Sequence, residues 1–250
     1  MSATALFQAL KAERGLVCAI GAGGKKSTLY GLLERHPGRA AMTASVFTYQ
    51  PPRGLKAHVL VADASTLRHR ITPQSAAPLL YACPADKPGR LAGPPAEQIL
   101  ELHRQGAFDL SLIKADGARM RRIKVPGAHE PFIPEFANIV LVVSSLLAIG
   151  EALTDRVAHR LERVLRVTGQ REGSPITAAT MSALYTHPEG LQQGTVDHHL
   201  VPVLNMADEP EQRSLGREVA ARILGESDRY DRVVLLSNRE PDLLVDVILR

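Results

Sequence analysis

The chain has 250 residues, 45% of them hydrophobic and 22% charged, and it carries a formal net charge of +4. These values fit a globular domain, while the shortness of every apolar run excludes a membrane-spanning class, and the scarcity of aromatic residues disfavours a base-stacking nucleic-acid surface. Residues 1–15 lack the features of a signal peptide, so we expect a cytoplasmic protein with neither a membrane nor a nucleic-acid partner.

Short apolar runs alternate with helical patterns along the chain. Residues 2–13 predict a helix, residues 15–20 a buried strand, and Lys25–Arg35 a helix that Pro37 ends. Because the apolar runs show little alternation, they suit strands of a parallel sheet that is covered by helices on both faces. Further strands are predicted at 57–62, 79–82, 109–113, 138–143, 200–204 and 232–236, and further helices at 95–105, 154–167, 177–185 and 211–224.

This alternation predicts a three-layer α/β fold with a mainly parallel sheet, in a single domain over residues 1–250. Two segments depart from the alternation. Residues 66–95 are rich in proline and are predicted to form an excursion outside the sheet. Residues 145–195 carry helical patterns without a clear strand, and they are predicted as a helical cap or insertion.

The segment 21–28 reads Gly-Ala-Gly-Gly-Lys-Lys-Ser-Thr and follows the first predicted strand. Glycines after a buried strand let backbone N–H groups approach anionic oxygens, and the start of a helix adds partial positive charge. The Walker A pattern is Gly, four residues, then Gly-Lys-Ser/Thr, and the segment departs from it in either possible alignment. When Gly24-Lys25 is aligned with the Gly-Lys pair, Lys26 takes the position of the magnesium-binding hydroxyl residue. When Lys26-Ser27 is aligned with the Lys-Ser pair, Lys25 takes the position of a glycine. The segment still predicts a nucleotide or phosphate site, formed by Gly21, Gly23, Gly24, Lys25, Lys26 and Ser27.

A second pattern is the strand 109–113 followed by Lys114-Ala115-Asp116-Gly117. An acid after a buried strand can hold a metal ion beside phosphates, which predicts Asp116 as a catalytic and metal-binding residue. An ordinary Asp-Gly turn is the alternative, and Asp63 is a rival for the metal role. Nearby basic residues form either a solvated loop or an anion site: Lys114, Arg119, Arg121, Arg122 and Lys124.

Two further pairs of polar residues are candidates for the site. His129 and Glu130 lie in a proline-rich loop and are predicted to be catalytic, with a solvated loop as the alternative. Asn205 and Asp208 follow the strand 200–204 and match the base-reading Asn-Lys-x-Asp motif of GTP-binding proteins, except that Met206 replaces the lysine. An ordinary helix entry is the alternative for this pair.

Together these motifs resemble the family of YqeC-type selenium-dependent molybdenum hydroxylase accessory proteins. The family's glycine loop, Gly-Ala-Gly-Gly-Lys-Thr-Thr, is similar to residues 21–27 except at Lys26. Its Glu-Ala-Asp-Gly-Ala segment is similar to residues 114–118 except at Lys114, and its His-Glu-Pro loop matches residues 129–131. The resemblance extends from about residue 15 to about residue 210.

The resemblance implies a P-loop NTPase-like fold that binds a nucleoside triphosphate, ATP or GTP, with Mg2+. It also implies a role in the maturation of molybdenum hydroxylases, with those enzymes or their maturation proteins as partners. Because Lys26 and Lys114 add cations where the family has a neutral and an acidic residue, we expect weakened magnesium dependence and slow or absent hydrolysis. The alternatives are a non-catalytic scaffold or chaperone with a decayed site, and a P-loop small-molecule kinase or ligase.

Overall fold

A computed structural model describes residues 3–250, which form thirteen strands and seven α-helices. The strands are β1 Gly15–Gly21, β2 Ala40–Ala44, β3 Thr48–Tyr49, β4 His58–Val61, β5 Leu79–Pro84, β6 Arg90–Ala92, β7 Leu110–Lys114, β8 Ile123–Lys124, β9 Ile139–Ser145, β10 Ala158–His159, β11 His199–Asn205, β12 Arg232–Leu236 and β13 Leu244–Leu249. The helices are α1 Ala3–Leu10, α2 Lys25–Arg35, α3 Ala64–Arg70, α4 Ala96–Gln105, α5 Leu161–Thr168, α6 Ala178–Thr186 and α7 Pro210–Glu226.

Eleven of these strands form one sheet in the order β13-β12-β11-β9-β1-β7-β2-β5-β6-β3, with β4 paired to β5. The pairs from β12 across to β4 are parallel, whereas β13, β6 and β3 pair antiparallel with their neighbours. The chain crosses from β7 on one side of β1 to β9 on the other. The carboxyl ends of these three strands therefore lie where parallel α/β sheets bind their ligands.

Alternate residues of the central strands point to opposite faces of the sheet and enter separate buried clusters. In β1, Val17 and Ala19 pack with residues of α1 and α2, while Cys18 and Ile20 pack with residues of α4, α5, α6 and α7. Both faces of the strand are thus covered by helices, which explains its continuous apolar run. The fold is a mixed α/β fold with a mostly parallel central sheet.

Most predicted elements are confirmed, including α2 and β12 with the predicted bounds. The first helix is shorter than predicted, because α1 ends at Leu10 and Lys11 adopts a positive φ of 51°, while residue 2 lies outside the described residues. The predicted helix 154–167 begins only at Leu161, since residues 158–159 form β10. The strand β2 was not predicted, because its Ala-Ala-Met-Thr-Ala sequence contains a single β-branched residue.

The prediction that residues 66–95 lie outside the sheet is wrong, whereas the separate prediction of a strand at 79–82 is confirmed by β5. This segment contains most of α3 and the strands β5 and β6. Strand β5 pairs with β2 and with β4, so it lies within the sheet. Its prolines stand where no central ladder N–H is needed: Pro78 precedes β5, and Pro84 is the last residue of that strand.

The segment 145–195 contains β10, α5 and α6. Buried residues of α6, among them Met181 and Leu184, belong to the same cluster as Cys18 of β1. This segment therefore packs directly against the sheet. No helix among residues 3–250 has both the length and the apolar character needed to cross a membrane.

Candidate functional site

A cleft of about 640 Å³ opens at the carboxyl ends of β1 and β7. This volume lies in the ordinary range of small-molecule sites. The cleft is lined by the loop after β1 with the start of α2, by β3 and the β5–β6 turn, and by residues 117–122. None of the described residues that line it is acidic, and eight are basic: Lys25, Lys26, Lys87, Arg90, Lys114, Arg119, Arg121 and Arg122.

The glycine loop after β1 is held close to the neighbouring strands. Gly21 and Gly24 have φ angles of 95° and 115°, which side chains other than that of glycine rarely adopt. A Cβ on Gly21 would lie 2.1 Å from the carbonyl oxygen of Val143 in β9, and one on Gly24 would lie 2.1 Å from Nδ2 of Asn205. The glycines therefore permit a close approach to β9 and to the end of β11.

The backbone N–H groups of this loop fall into two sets. Gly21 donates to Oδ2 of Asp116 at 2.8 Å, and Gly23 donates to the carbonyl of Arg121 at 3.0 Å, so these groups hold the loop in place. The N–H groups of 25–27, the first three residues of α2, have no acceptor within the described part of the chain. These three residues line the cleft. Free N–H groups at a helix N-terminus attract anions.

Most of the basic side chains in the cleft are not neutralised by the protein. Within residues 3–250, only Lys25 and Arg122 of the eight have a carboxylate within 4.0 Å; their partners are Asp116 and Glu151, both at 2.9 Å. The other six face the cleft without an ion-pair partner. Positive charge that is gathered in a concave surface concentrates anions there.

Burial is the main cause of lowered pKa values among the lysines of the cleft, and neighbouring cations add to it. Lys114 is only 8% exposed, and its Nζ donates to the carbonyl of Phe47 at 3.1 Å. Burial, and then the charge of Lys25, lower its pKa to about 7. Burial also lowers the pKa of Lys25 and, with the charge of Arg90, that of Lys26. A bound anion would oppose each of these shifts, so the arrangement favours an anionic ligand.

Asp116 lies behind the glycine loop and has no exposed surface. Its Oδ1 is 2.9 Å from Nζ of Lys25, and its Oδ2 accepts bonds from Nζ of Lys124 and from the N–H of Gly21, both at 2.8 Å. Nζ of Lys25 also donates to the carbonyl of Gly21. Asp116 thus positions Lys25 and the loop.

The arrangement does not fit a protein-made magnesium site. The carboxylate of Asp116 is enclosed and faces two lysines, and the residues described contain no group of three or more His, Cys, Asp or Glu side chains that could hold a metal ion. Magnesium prefers several oxygen ligands in an octahedral arrangement. The metal-binding role of Asp116 stays a prediction.

Glu130 belongs to a buried ionic network rather than to the cleft. Lys124 is fully buried, and its Nζ lies 2.6 Å from Oε2 of Glu130, 2.8 Å from Oδ2 of Asp116 and 2.7 Å from the carbonyl of Gly117. Arg160 donates two bonds to Glu130, at 2.8 and 2.9 Å. Burial alone would raise the pKa of Glu130, but the bonds from Arg160 and Lys124 outweigh it and lower the pKa to about 2.

The remaining predicted residues also lie outside the cleft lining. His129 is exposed on its loop. Asn205 is buried at the end of β11, and its Nδ2 donates to the carbonyl of Gly23 at 3.1 Å, so its contact is with the glycine loop. Asp208 accepts a bond from a serine hydroxyl after β12. Between them, Met206 lines the cleft. Of the predicted phosphate-site residues, five line the cleft: Gly23, Gly24, Lys25, Lys26 and Ser27.

One side of the cleft was not predicted from the sequence. Cζ of Arg90 lies 3.4 Å from the ring centroid of Tyr49, and Nζ of Lys87 lies 4.7 Å from that of Phe47. We call these four residues the cation–aromatic wall. The alternating Phe47-Thr48-Tyr49 run is a strand signal, but only the antiparallel pairing of β3 with β6 brings it beside Arg90.

Comparison with known proteins supports the resemblance that the motifs indicate. The family model described as YqeC protein matches residues 17–162, which include the glycine loop, Asp116 and Glu130. The protein named "Uncharacterized protein YqeC" of Escherichia coli (strain K12) is 27% identical over 177 residues, which are 70% of this chain and 69% of that protein.

Proposed function

This chain belongs to the YqeC family, and we propose that it binds a nucleotide in the basic cleft, through a P-loop-like site in which lysines replace magnesium. The observation that carries the proposal is the part of the cleft beside the glycine loop: Lys26 and Lys114, which have no ion-pair partner among residues 3–250, together with the N-terminus of α2. Both features attract phosphate groups, and they converge on one concave surface.

The positive charge at the start of α2 suits the phosphates of a nucleoside triphosphate. Such a ligand carries roughly −4, with about −2 on its terminal phosphate and one charge on each of the others. Lys25, Lys26 and Lys114 lie at or beside the start of α2, where the phosphates would bind. The apolar side chains of Met206 and Leu147 line the same cleft and offer a surface for the base.

The same lining argues for binding with little or no hydrolysis. Lysines can neutralise phosphate charge, but they do not bridge two phosphate oxygens as a metal ion does. No carboxylate among the described lining residues is available to orient a water molecule. A bound nucleotide would therefore persist, which suits an accessory protein that assists the maturation of a molybdenum hydroxylase, the role that the motifs imply.

A non-catalytic scaffold with a decayed site is the second candidate. It is favoured by Lys25, whose Nζ is already engaged by Asp116 and by the carbonyl of Gly21. In this case the cleft would bind no nucleotide, and the ionic contacts would only stabilise the fold.

Calorimetric titration with ATP, GTP and inorganic pyrophosphate, each with and without Mg2+, tests the proposal. Ser27 is exposed at the start of α2, so Ser27→Glu should place a carboxylate in the cleft without disturbing folding. The exposed Gln74 lies outside the cleft, and Gln74→Glu is the control that adds the same charge. We expect binding by the wild type and the control, and at least about tenfold weaker binding by Ser27→Glu.

Phosphate release from ATP and GTP should be measured on the same samples. Binding with slow or no release supports the nucleotide-binding accessory protein. No binding by the wild type under any of these conditions would overturn the proposal in favour of the scaffold.

A further inference from the structure

The cation–aromatic wall is not needed for a nucleotide at the glycine loop. Lys87 and Arg90 belong to the β5–β6 turn and to β6, on the antiparallel extension of the sheet. The phosphate contacts proposed above use the start of α2 and Lys114 instead. The proposed nucleotide contacts therefore do not explain the role of the cation–aromatic wall.

The charges of the cleft exceed those of one nucleotide. Six of the basic side chains that line the cleft have no ion-pair partner among residues 3–250, against roughly −4 on a nucleoside triphosphate. The residues described place no carboxylate within 4.0 Å of Lys87 or Arg90. These two cations would remain unneutralised beside a nucleotide that occupies the glycine loop.

The wall holds its cations in place through aromatic contacts. The guanidinium of Arg90 lies against the ring of Tyr49, and one of its NH2 groups donates to the hydroxyl of that ring at 2.7 Å. Lys87 lies over the ring of Phe47. Both rings remain about half exposed, at 43% for Tyr49 and 48% for Phe47. Cations positioned in this way lose less freedom when they bind an anion.

The wall also lies next to the proposed phosphate position. Nζ of Lys26, in the first turn of α2, is 5.1 Å from the ring centroid of Tyr49, while Arg90 contacts the same ring. An anion at the wall would therefore be a neighbour of the terminal phosphate of the nucleotide.

From these contacts we infer that the cleft has a second subsite, in which Lys87 and Arg90 bind a small phosphate-bearing ligand beside the nucleotide. The inference rests on the proposed nucleotide site and extends it from a one-ligand to a two-ligand cleft. The rings of Phe47 and Tyr49 form the apolar part of this subsite, and Lys26 lies between the two ligands.

Inorganic pyrophosphate is the probe for this subsite. It is titrated by calorimetry into the free protein and into the protein saturated with ADP, at about 0.15 M salt to screen exposed charges. We expect two bound pyrophosphates for the free protein and one for the ADP complex, because ADP leaves the wall vacant.

Two double variants separate the wall from a general loss of charge. Lys87→Ala with Arg90→Ala removes the proposed contacts, while Arg53→Ala with Arg70→Ala removes two exposed charges outside the cleft. We expect the wall variant to bind ADP like the control variant and to bind pyrophosphate in the ADP complex at least about tenfold more weakly.

The outcomes distinguish the two proposals. If ADP binds but pyrophosphate cannot bind the ADP complex, or if both double variants bind it equally well, the second subsite is overturned and the nucleotide site stands. If neither ADP nor pyrophosphate binds the wild type, the proposed nucleotide function itself fails.

Discussion

Nζ of Lys124 lies 2.8 Å from Oδ2 of Asp116, and neither side chain has any exposed surface. The same Oδ2 accepts the N–H of Gly21, at the end of β1, and the other oxygen of the carboxylate contacts Lys25. Lys124, the last residue of β8, therefore holds the carboxylate that positions the glycine loop. The cleft depends on this ion pair although neither partner lines it.

Replacing Lys124 should destabilise the fold strongly. Lys124→Met leaves the carboxylate of Asp116 buried without one of its two lysine partners, and removing one partner of a buried pair costs about 3–5 kcal/mol. The free energy of unfolding, measured with urea, checks this. Arg121→Met is the control, because Arg121 has no carboxylate partner among residues 3–250 and its loss should change stability by about 0.5 kcal/mol or less. Equal effects of the two substitutions would contradict the structural role of Lys124.

Glu130 should make stability depend on pH in the acid range. Its pKa is about 2 in the folded protein, against an ordinary value of 4.5. Between these two pKa values the unfolded chain therefore binds more protons than the folded protein. The contribution of Glu130 to the free energy of unfolding is thus present above about pH 4.5 and is lost as the pH falls towards 2. The free energy of unfolding between pH 6 and 2.5 should fall less steeply in Glu130→Gln than in the wild type. Parallel curves would show that the Arg160 and Lys124 contacts do not hold in solution.

Lys114 should take up a proton when an anion binds. Its pKa of about 7 in the free protein, against an ordinary value of 10.5, leaves most of its amines neutral at pH 8. A bound phosphate favours the charged form and raises the pKa, so affinity should fall as the pH rises above 7. Titrations with ATP at pH 8, in two buffers of different ionisation heat, measure the uptake. Lys114→Met should abolish it, and an equal uptake by this variant would assign the proton to another group.

Replacing Lys26 and Lys114 by oxygen-bearing residues should make nucleotide binding depend more strongly on magnesium. Lys26→Thr combined with Lys114→Glu supplies a hydroxyl and a carboxylate where the chain has two cations, and magnesium prefers such oxygen ligands. We expect Mg2+ to strengthen ATP binding by this variant more than by the wild type, in calorimetric titrations. Lys26→Met with Lys114→Met removes the same charges without adding a ligand. A magnesium response that is equal in the two variants would contradict the argument.

The central layers of the fold could be predicted because their signals are local. Apolar runs such as 232–236 and the helix from Lys25 to Arg35 show their type within the run itself, and both are confirmed. The strand β2 escaped prediction because three of its five residues are alanine, and its place in the sheet depends on β7 and β5 beside it.

Only part of the candidate site could be predicted, because some of its contacts join residues that are distant in the sequence. The glycine loop is contiguous in sequence, so its residues could be named in advance. The cation–aromatic wall needs the pairing of β3 with β6, which joins residues 48–49 to residues 90–91. The basic cluster predicted near residue 119 divides in the structure, since Arg119 lines the cleft whereas Lys124 is buried in ion pairs. Sequence spacing alone did not indicate which lysine would turn inward.

The unpaired cations of the cleft should make the affinity for an anionic ligand depend on the salt and the buffer in solution. Exposed charges are screened over about 8 Å at physiological ionic strength, so such a concave surface retains a layer of small anions. Entry of an anionic ligand would therefore be an exchange that releases those anions, and its affinity should fall as the salt concentration rises. Phosphate, sulfate and citrate buffers would compete directly for the amines of Lys26 and Lys114. Chloride at a fixed concentration is the reference medium in which the affinities of different ligands can be compared.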